Sequence, residues 1–188
     1  MLNDRIMALQ QLLQDKDDEV RTAAAEAMNK LEAVMSLDRV LDVLNSGDRG
    51  ARAKAILALE KIESNTIYPH LVKVLSDPDP NLRGAALQVL GKKKNPKTLT
   101  HVGKHLKDPD PAVRVHAVDA LGNFADPRLL QHLTPLLQDP DDCLVRSAIR
   151  AIVSIGAPDG ETFLLEALKD ARVSVRKTAA EALGDLIS

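Results

Sequence analysis

Alanine recurs at a constant 31-residue step along the whole chain, and this repetition constrains the fold more than any other feature of the sequence. The six positions are Ala24, Ala55, Ala86, Ala117, Ala148 and Ala179. A second track with the same step is Leu13, Leu44, Leu75, Leu106, Leu137 and Leu168. A third is Met28, Leu59, Leu90, Leu121, Ile152 and Leu183. A fixed period of this length is typical of stacked structural repeats. We predict a single domain, 1–188, with repeats at approximately 3–33, 34–64, 65–95, 96–126, 127–157 and 158–188.

Within each repeat the apolar spacing is helical. In the fourth repeat, one stripe with the i, i+4, i+7, i+8 pattern of a helix is Val113, Ala117, Ala120 and Leu121. A shorter stripe precedes it at Leu99, Val102 and Leu106. Between the two, Asp110 is a predicted N-cap, and Pro111 a predicted first helical residue, where its missing N–H costs no hydrogen bond. Each repeat is therefore predicted to be a pair of helices, and the fold class all-α.

The repeats are expected to stack, because one helix pair cannot bury both of its apolar faces alone. The alanine track fits this prediction, since a small side chain lets the second helix of one repeat approach its neighbours closely. We expect each repeat to be closed by a helix-ending glycine or a following proline. These residues are Gly91, Gly122, Pro96, Pro127 and Pro158. The predicted architecture is an α-solenoid of six helix pairs with a 31-residue period.

The segment 108–122, Asp-Pro-Asp-Pro-Ala-Val-Arg-Val-His-Ala-Val-Asp-Ala-Leu-Gly, resembles the HEAT-like repeats first associated with phycobilisome lyases. The resemblance covers essentially the whole chain and implies the α-solenoid fold. It does not specify a function, because such repeats serve many unrelated proteins.

Two polar tracks accompany the apolar ones. An arginine follows the first apolar residue of each second helix at Arg21, Arg52, Arg83, Arg114 and Arg176. The fifth repeat departs, because the step leads to Val145 and the arginine is Arg146. An acidic track runs through Asp17, Asp48, Asp79, Asp110 and Asp141, and Arg172 breaks it. The resemblance implies that these side chains form a ladder between repeats, so we expect a structural role for them, with direct partner contact as the alternative.

Histidines are the main candidates for a metal site. His70, His101 and His132 share one repeat position, but equivalent atoms of neighbouring repeats lie roughly 10 Å apart, too far for common ligation. His101 and His105 share one helix, yet a third ligand at matching spacing is missing. The HEAT-repeat enzyme deoxyhypusine hydroxylase binds iron through His-Glu pairs, and this sequence has no His-Glu dipeptide. We expect no metal and no cofactor.

Composition argues against several functions. The net charge is −2 and Trp is absent, so we expect no nucleic-acid partner; Lys92, Lys93 and Lys94 are interpreted as a solvated helix end, with a nucleic-acid patch as the alternative. No apolar run is long enough for a membrane span, and no signal peptide is recognisable. The single cysteine, Cys143, fits a reducing compartment, so a cytoplasmic location is expected. A nucleophile–base pair of Cys143 and His116 is an alternative to the expected absence of catalysis.

The predicted site is the concave surface that the second helices line in such solenoids. Its candidate partner-binding residues are Arg49, Lys54, Leu57, Asn81, Gly84, Gln88, Val115, His116, Asp119, Arg146 and Arg150. The middle is expected to be a smooth apolar floor made by Gly84, Ala85, Ala112 and Val115. One row alternates in sign, Asp119, Arg150 and Glu181; both pairing within the row and contact with a partner are consistent with it.

The function predicted from these features is a non-catalytic scaffold or adaptor that binds a protein or peptide. Two alternatives stay open. The resemblance suggests a subunit of a bilin lyase or related chromophore-handling enzyme, and the abrupt ends of the chain suggest a regulatory domain of a larger signalling protein. The chain stops directly after a second helix, which fits either a minimal cap or an excerpt of a longer protein. Exposure of Leu186 and Ile187 there would favour weak end-to-end self-association.

Overall fold

The structure is a computed structural model that describes residues 2–156 and 160–185. All regular secondary structure in these residues is helical, which confirms the predicted all-α class. Leu186 and Ile187 lie outside the described residues. The chain divides into two compact units, Met1–Ile62 and Glu63–Ser188. The first unit contains α1 (Leu2–Leu12), α2 (Asp18–Ser46) and α3 (Arg49–Ala58), and α3 continues into a 3-10 turn, Leu59–Lys61.

The second unit alternates short and long helices. The short ones are α4 (Ile67–Val74), α6 (Leu99–Lys104), α8 (Leu130–Leu133) and α10 (Gly160–Ala167). The long ones are α5 (Pro80–Lys93), α7 (Pro111–Phe124), α9 (Asp142–Ile155) and α11 (Val173–Asp185). Short 3-10 segments flank α6 and α8. The long helices pack side by side, α5 on α7, α7 on α9 and α9 on α11, so the second helices of successive repeats form one layer.

Helix α2 runs without interruption across the predicted boundary between 33 and 34. Its 29 residues contain neither glycine nor proline, the two residue types that most strongly interrupt a helix. The helix ends where Gly47 donates its backbone N–H to the carbonyl of Val43 at 2.9 Å. The second helix of the first predicted repeat and the first helix of the second are thus one element. The remaining boundaries stay predictions.

The alanine track lies in the core of both units. All six alanines are at most 5% exposed, from Ala24 at 3% to Ala179 at 0%. Larger apolar side chains surround this track, and those that are fully buried include Leu59, Leu90 and Leu121 of the third track. Because burying apolar area is the main favourable contribution to folding, the repeat period of the sequence marks the core directly.

Gly91 and Gly122 have a different role from the predicted one. Both lie inside their helices, not at the ends. A Cβ atom on Gly91 would lie 2.7 Å from Ala120 Cα, and one on Gly122 would lie 2.8 Å from Ala151 Cα. These glycines are therefore the points where α5 meets α7 and α7 meets α9, and the prediction that they end helices is wrong.

Helices α5, α7 and α9 instead end at a residue with left-handed backbone conformation, three residues after the repeat position of Gly91 and Gly122. Lys94 and Ala125 both have a φ of 52°, and Gly156 has a φ of 64°. The three are again related by the 31-residue step, so one turn geometry closes α5, α7 and α9. Only Gly156 adopts this conformation without steric cost, because it has no Cβ.

Candidate protein-binding surface

The acidic track caps helices. Asp17, Asp48, Asp79, Asp110 and Asp141 are the N-cap residues of α2, α3, α5, α7 and α9. The carboxylate of Asp110 accepts hydrogen bonds from the backbone N–H of Ala112 at 2.9 Å and of Val113 at 3.3 Å. These bonds satisfy donors that have no partner within the helix. The N-cap prediction for Asp110 is confirmed, and the whole track has this local role.

The arginine track ties each second helix to the turn before it. Arg83 Nη1 donates to the carbonyls of Asp77 at 2.9 Å and Pro78 at 3.3 Å. Arg114 donates to the corresponding pair, Asp108 at 2.9 Å and Pro109 at 3.4 Å. The bonds of Arg21 and Arg176 follow the same pattern. Four members of the track thus have a structural role. Their bonds to the preceding turn lie within one predicted repeat, so these bonds do not form the expected ladder between repeats.

The fifth repeat lacks this arginine, and Arg172 takes over its bond. Where the track leads to Val145, the carbonyl of Asp139 accepts a hydrogen bond from Arg172 Nη1 at 2.7 Å. Arg172 also donates to Asp170 Oδ2 at 2.8 Å, and this bond lowers the pKa of the Asp170 carboxyl to about 2. The two departures from the sequence pattern therefore compensate each other across one repeat boundary.

Asp108 joins two repeats through an ion pair. Its side chain is 3% exposed and accepts from Arg83 Nη2 at 2.6 Å and from Arg83 Nε at 3.0 Å. His105 Nδ1 lies 3.0 Å from the same carboxylate. Burial raises the pKa of Asp108, but the bonds from Arg83 and His105 outweigh it and lower the pKa to about 2. His105 therefore belongs to this network.

The side chains of one repeat position form a row across the second helices. Gln88 on α5, Asp119 on α7, Arg150 on α9 and Glu181 on α11 are all exposed. Among the predicted site residues of this unit, Asn81, Gln88, His116, Asp119 and Arg150 are exposed, Val115 and Arg146 are half-buried, and Gly84 is buried. The surface is thus largely accessible, and it is defined here as the second-helix surface of α5, α7, α9 and α11.

Gly84 does not form part of an open floor. A Cβ atom there would lie 2.7 Å from His116 Cδ2, so the imidazole of His116 lies directly over the glycine. Ala85 and Val115 are half-buried and Ala112 is exposed. The prediction of a smooth apolar floor is wrong at Gly84, because a side chain from the next helix covers it. The glycine gives no sign of this in the sequence.

Asp119 is held within the surface by two neighbours. It accepts a hydrogen bond from the hydroxyl of Ser147, which is fully buried, and lies 3.8 Å from Arg150 Nη2. Glu181 pairs with Lys177 of its own helix at 3.7 Å. Pairing within the row is therefore observed between Asp119 and Arg150. Ser147 stands one repeat period after His116 and shares its repeat position, but His116 is exposed whereas Ser147 is buried.

A groove of about 540 Å³ opens between α9 and α11 on this surface. Its charged lining residues are Arg146, Arg150, Lys177, Glu181 and Asp185. Hydroxyl groups of Ser154, Ser174 and Thr178 also line it. Mixed charges and hydroxyls can pair with carboxylates, amides and backbone groups of a peptide.

Three predicted site residues lie in the first unit. Arg49, Lys54 and Leu57 are exposed on α3, and Leu57 is 45% exposed despite its apolar side chain. Lys54 and Leu57 share repeat positions with Ala85 and Gln88. The same step back from Asn81 leads to Gly50, so Arg49 is one residue out of register.

Cys143 is exposed at the start of α9. Arg146 Nη2 donates to its sulfur at 3.5 Å, and its backbone N–H donates to Asp141 at 2.9 Å. Over residues 2–156 and 160–185, no group of three or more His, Cys, Asp and Glu side chains is arranged to hold a metal ion. No helix within these ranges has the length and apolar character that crossing a bilayer requires.

Family models match nearly the whole sequence. A model described as HEAT repeats matches residues 3–67 and 68–153, and a HEAT repeat model matches residues 162–188. No curated protein matches the sequence significantly.

Solved structures share the fold. A chain of the complex of CpcE and CpcF of phycocyanin lyase from Nostoc sp. PCC7120 is 24% identical, with a TM-score of 0.67 over 80% of this chain and 99% of that chain. A designed armadillo repeat protein in complex with the peptide (KR)4 is 19% identical, with a TM-score of 0.58 over 95% and 98%. An engineered protein is 20% identical, with a TM-score of 0.57 over 97% and 96%. At these identities the likeness shows the repeat-helical fold.

Proposed function

The chain belongs to the HEAT repeat family, and we propose that it is a non-catalytic scaffold or adaptor that binds a protein or peptide partner. In the second unit, the proposed binding site is the second-helix surface, taken as the concave face. In the first unit, the exposed side chains of α3 are proposed separately as partner contacts. We also propose a cytoplasmic location, which the single cysteine supports. The proposed partner is neither a nucleic acid nor a membrane.

The row of Gln88, Asp119, Arg150 and Glu181 carries this proposal. Four exposed polar side chains stand at one repeat position on four long helices, three of which pack directly on the next. A partner segment laid across these helices would meet one such side chain per repeat. Regular rows of this kind suit an extended chain, whose own side chains also recur at regular intervals.

The ion pairs of the surface leave its charges available. Arg150 Nη2 and Asp119 Oδ1 are 3.8 Å apart, and both side chains are about half exposed. An exposed pair of this kind contributes only about 0–1 kcal/mol. Arg150 can therefore exchange Asp119 for a carboxylate of a partner at little cost. The groove between α9 and α11 adds Arg146 and Lys177 to the same region.

Structural neighbours support a partner-binding role. One is a chain of a two-protein complex, CpcE with CpcF, and another is a designed repeat protein that holds the peptide (KR)4. Stacked helical repeats thus offer surfaces on which proteins and peptides bind in other chains, and we extend that role to this one.

Affinity capture from a cell extract with three forms of the chain tests the proposal. Wild type, Val115→Glu and Arg150→Glu are compared, because both residues lie on the second-helix surface. Gly84→Glu is unsuitable, since its Cβ would collide with His116. We expect one protein to be retained by the wild type and depleted at least fivefold by each variant, and to cross-link to a peptide that contains Arg146 or Arg150.

Two control variants carry the same amino-acid substitutions at positions outside the second-helix surface. Val34→Glu and Arg128→Glu make the same changes at exposed positions of α2 and of the 3-10 turn after α7. Retention of the partner by these controls, with circular dichroism showing that all variants are folded, locates the site. Equal retention by every form would contradict binding on the second-helix surface.

A bilin-lyase subunit is the second candidate, since the phycocyanin lyase chain has the same fold. That function requires a tetrapyrrole to be bound, alone or with a partner chain. Incubation with a bilin separates the two candidates: a shifted and intensified visible absorbance band supports chromophore handling, and an unchanged spectrum supports the scaffold.

A further inference from the structure

The middle of the chain is strongly basic, although the net charge is −2. Between Asp79 and Asp108 there is no aspartate or glutamate, whereas there are six lysines and one arginine. Arg83 is committed to Asp108, and Lys93 Nζ lies 2.7 Å from Glu63 Oε1. The lysines that follow, Lys97, Lys104 and Lys107, are exposed on α6 and its flanking 3-10 segments.

An apolar groove of about 540 Å³ lies beside these lysines, between the first helices α6 and α8. Its apolar residues are Leu99, Leu106, Leu121 and Leu129. Lys104 and Lys107 line the groove as well, and His132 lines it from α8. None of the described side chains that line it is acidic. The groove therefore combines leucines with an uncompensated positive edge.

We propose that this groove is a second binding site, for an acidic amphipathic peptide segment of a partner protein. Apolar side chains of the peptide would bury the leucines of the groove, at roughly 25 cal/mol per Å² of apolar area. Its carboxylates would pair with Lys104 and Lys107. Because none of the described residues that line the groove is acidic, its lysines have no internal ion pair there that would compete with the peptide, unlike Arg150 on the second-helix surface.

The apolar groove distinguishes this partner from other polyanions. A nucleic acid binds through its phosphates and through stacking of bases on aromatic rings, and the residues that line the groove include neither Phe, Tyr nor Trp. An anionic bilayer attracts lysines without needing a narrow groove. A peptide with acidic and apolar residues on one helix or strand matches both features.

Gly103 provides a sharp test because it lines the groove and has space around it. A Cβ atom there would meet no other atom within 4 Å, so Gly103→Leu can fill the groove without an internal clash. The change also replaces glycine within α6 by a better helix former, so the fold should be retained. It removes the apolar recess and leaves both lysines in place.

Selection of a displayed library of 16-residue peptides on the full chain tests the proposal. We expect the enriched peptides to combine Asp or Glu with Leu, Ile or Phe at regular spacing. A synthetic peptide of the consensus should lose at least tenfold in affinity with Gly103→Leu and with the double variant Lys104→Glu/Lys107→Glu. Lys16→Glu, an exposed lysine in the first unit, should change the affinity less than twofold.

Two further binding measurements test whether the groove binds a nucleic acid or an anionic membrane instead of a peptide. Binding of a dT12 oligonucleotide or of phosphatidylserine vesicles that the double lysine variant loses and Gly103→Leu keeps would overturn the proposal, because charge alone would then explain the surface. Peptides without acidic enrichment, or none that respond to Gly103→Leu, would overturn it too. Val115→Glu should leave the consensus peptide bound, so this test fails or succeeds independently of the second-helix site.

Discussion

The carboxylate of Asp108 takes part in four hydrogen bonds. Arg83, His105 and the backbone N–H of Asp110 all donate to its carboxylate, and it is buried between two repeats. Charged bonds of this kind are worth about 1.5–3 kcal/mol each when a partner is removed. Arg172 likewise makes several bonds at another repeat boundary. Its guanidinium donates to the carbonyl of Asp139 and to the carboxylates of Asp142 and Asp170.

Asp108→Asn is expected to lower the free energy of unfolding by about 2–3 kcal/mol at pH 7, because Arg83 loses its buried counter-charge. The bonds lower the pKa of Asp108 from 3.8 to about 2, so the stabilisation is complete above pH of about 5 and is lost as the pH falls from about 4 to 2. Urea unfolding of both forms from pH 7 to 2 measures this difference. A gap that persists unchanged at pH 2 would show that the charge of Asp108 is not its source.

A second expected effect at single residues concerns the left-handed ends of α5 and α7. Replacing Lys94 or Ala125 by glycine should stabilise the protein by up to about 1 kcal/mol, because glycine adopts a φ of 52° without the Cβ clash. Gly156→Ala should destabilise it by about 1 kcal/mol at the equivalent position of α9. Thermal unfolding of the three variants gives the signs. A destabilised Ala125→Gly would refute the assigned strain.

At the scale of elements, the long helices owe their close packing to small residues on facing sides. Gly91 meets Ala120, and Gly122 meets Ala151, with no space for a Cβ between them. The 31-residue step relates the two contacts, so the same crossing is used twice. The fifth repeat has Val153 at the glycine position, and there the groove between α9 and α11 opens.

Two glycine-to-alanine changes should therefore have opposite signs. Gly122→Ala forces α7 and α9 apart and should cost about 1–2 kcal/mol, the overpacking penalty less the gain in helix propensity. Gly103→Ala, in α6, meets nothing and should stabilise by about 0.5–1 kcal/mol. Chemical denaturation of both variants compares them. Equal effects would mean that the helices relax freely at the crossing.

At the scale of the whole molecule, stability in a stacked array comes from contacts between neighbouring repeats. Helices α7 and α9 each pack against another long helix on both sides. Most side chains of α1 from Asp4 onwards are exposed, including Met7 at 56%. The less enclosed helices should therefore open before the more enclosed ones, so that the chain does not open in one step.

Hydrogen exchange followed by mass spectrometry is expected to show this gradient. Amides of α7 and α9 should exchange at least a hundredfold more slowly than those of α1, because opening them breaks contacts on two sides. Uniform protection across all the helices would indicate that the chain unfolds as one cooperative unit.

Much of the candidate site could be predicted from the 31-residue repeat pattern of the sequence. The 31-residue step placed Gln88, Asp119 and Arg150 at one repeat position, and the structure exposes all three on successive long helices. The hydrogen bond from Ser147 to Asp119 did not follow from it, because Ser147 reaches Asp119 only through the close approach of α7 and α9. The basic groove at Gly103 also depends on how α6 and α8 lie together.

Helical period, apolar tracks and N-caps are local properties, which is why residues such as Ala86 and Asp110 could be assigned from the chain alone. Hydrogen bonds and burial within one helix pair depend on residues that are close in sequence. The 31-residue period then repeats the same local pattern along the chain. The role of Gly91, the cover of Gly84 by His116 and the replacement of a missing arginine by Arg172 involve residues roughly one repeat apart. Such contacts depend on the distance between packed helices, which side-chain volumes across the whole interface decide together.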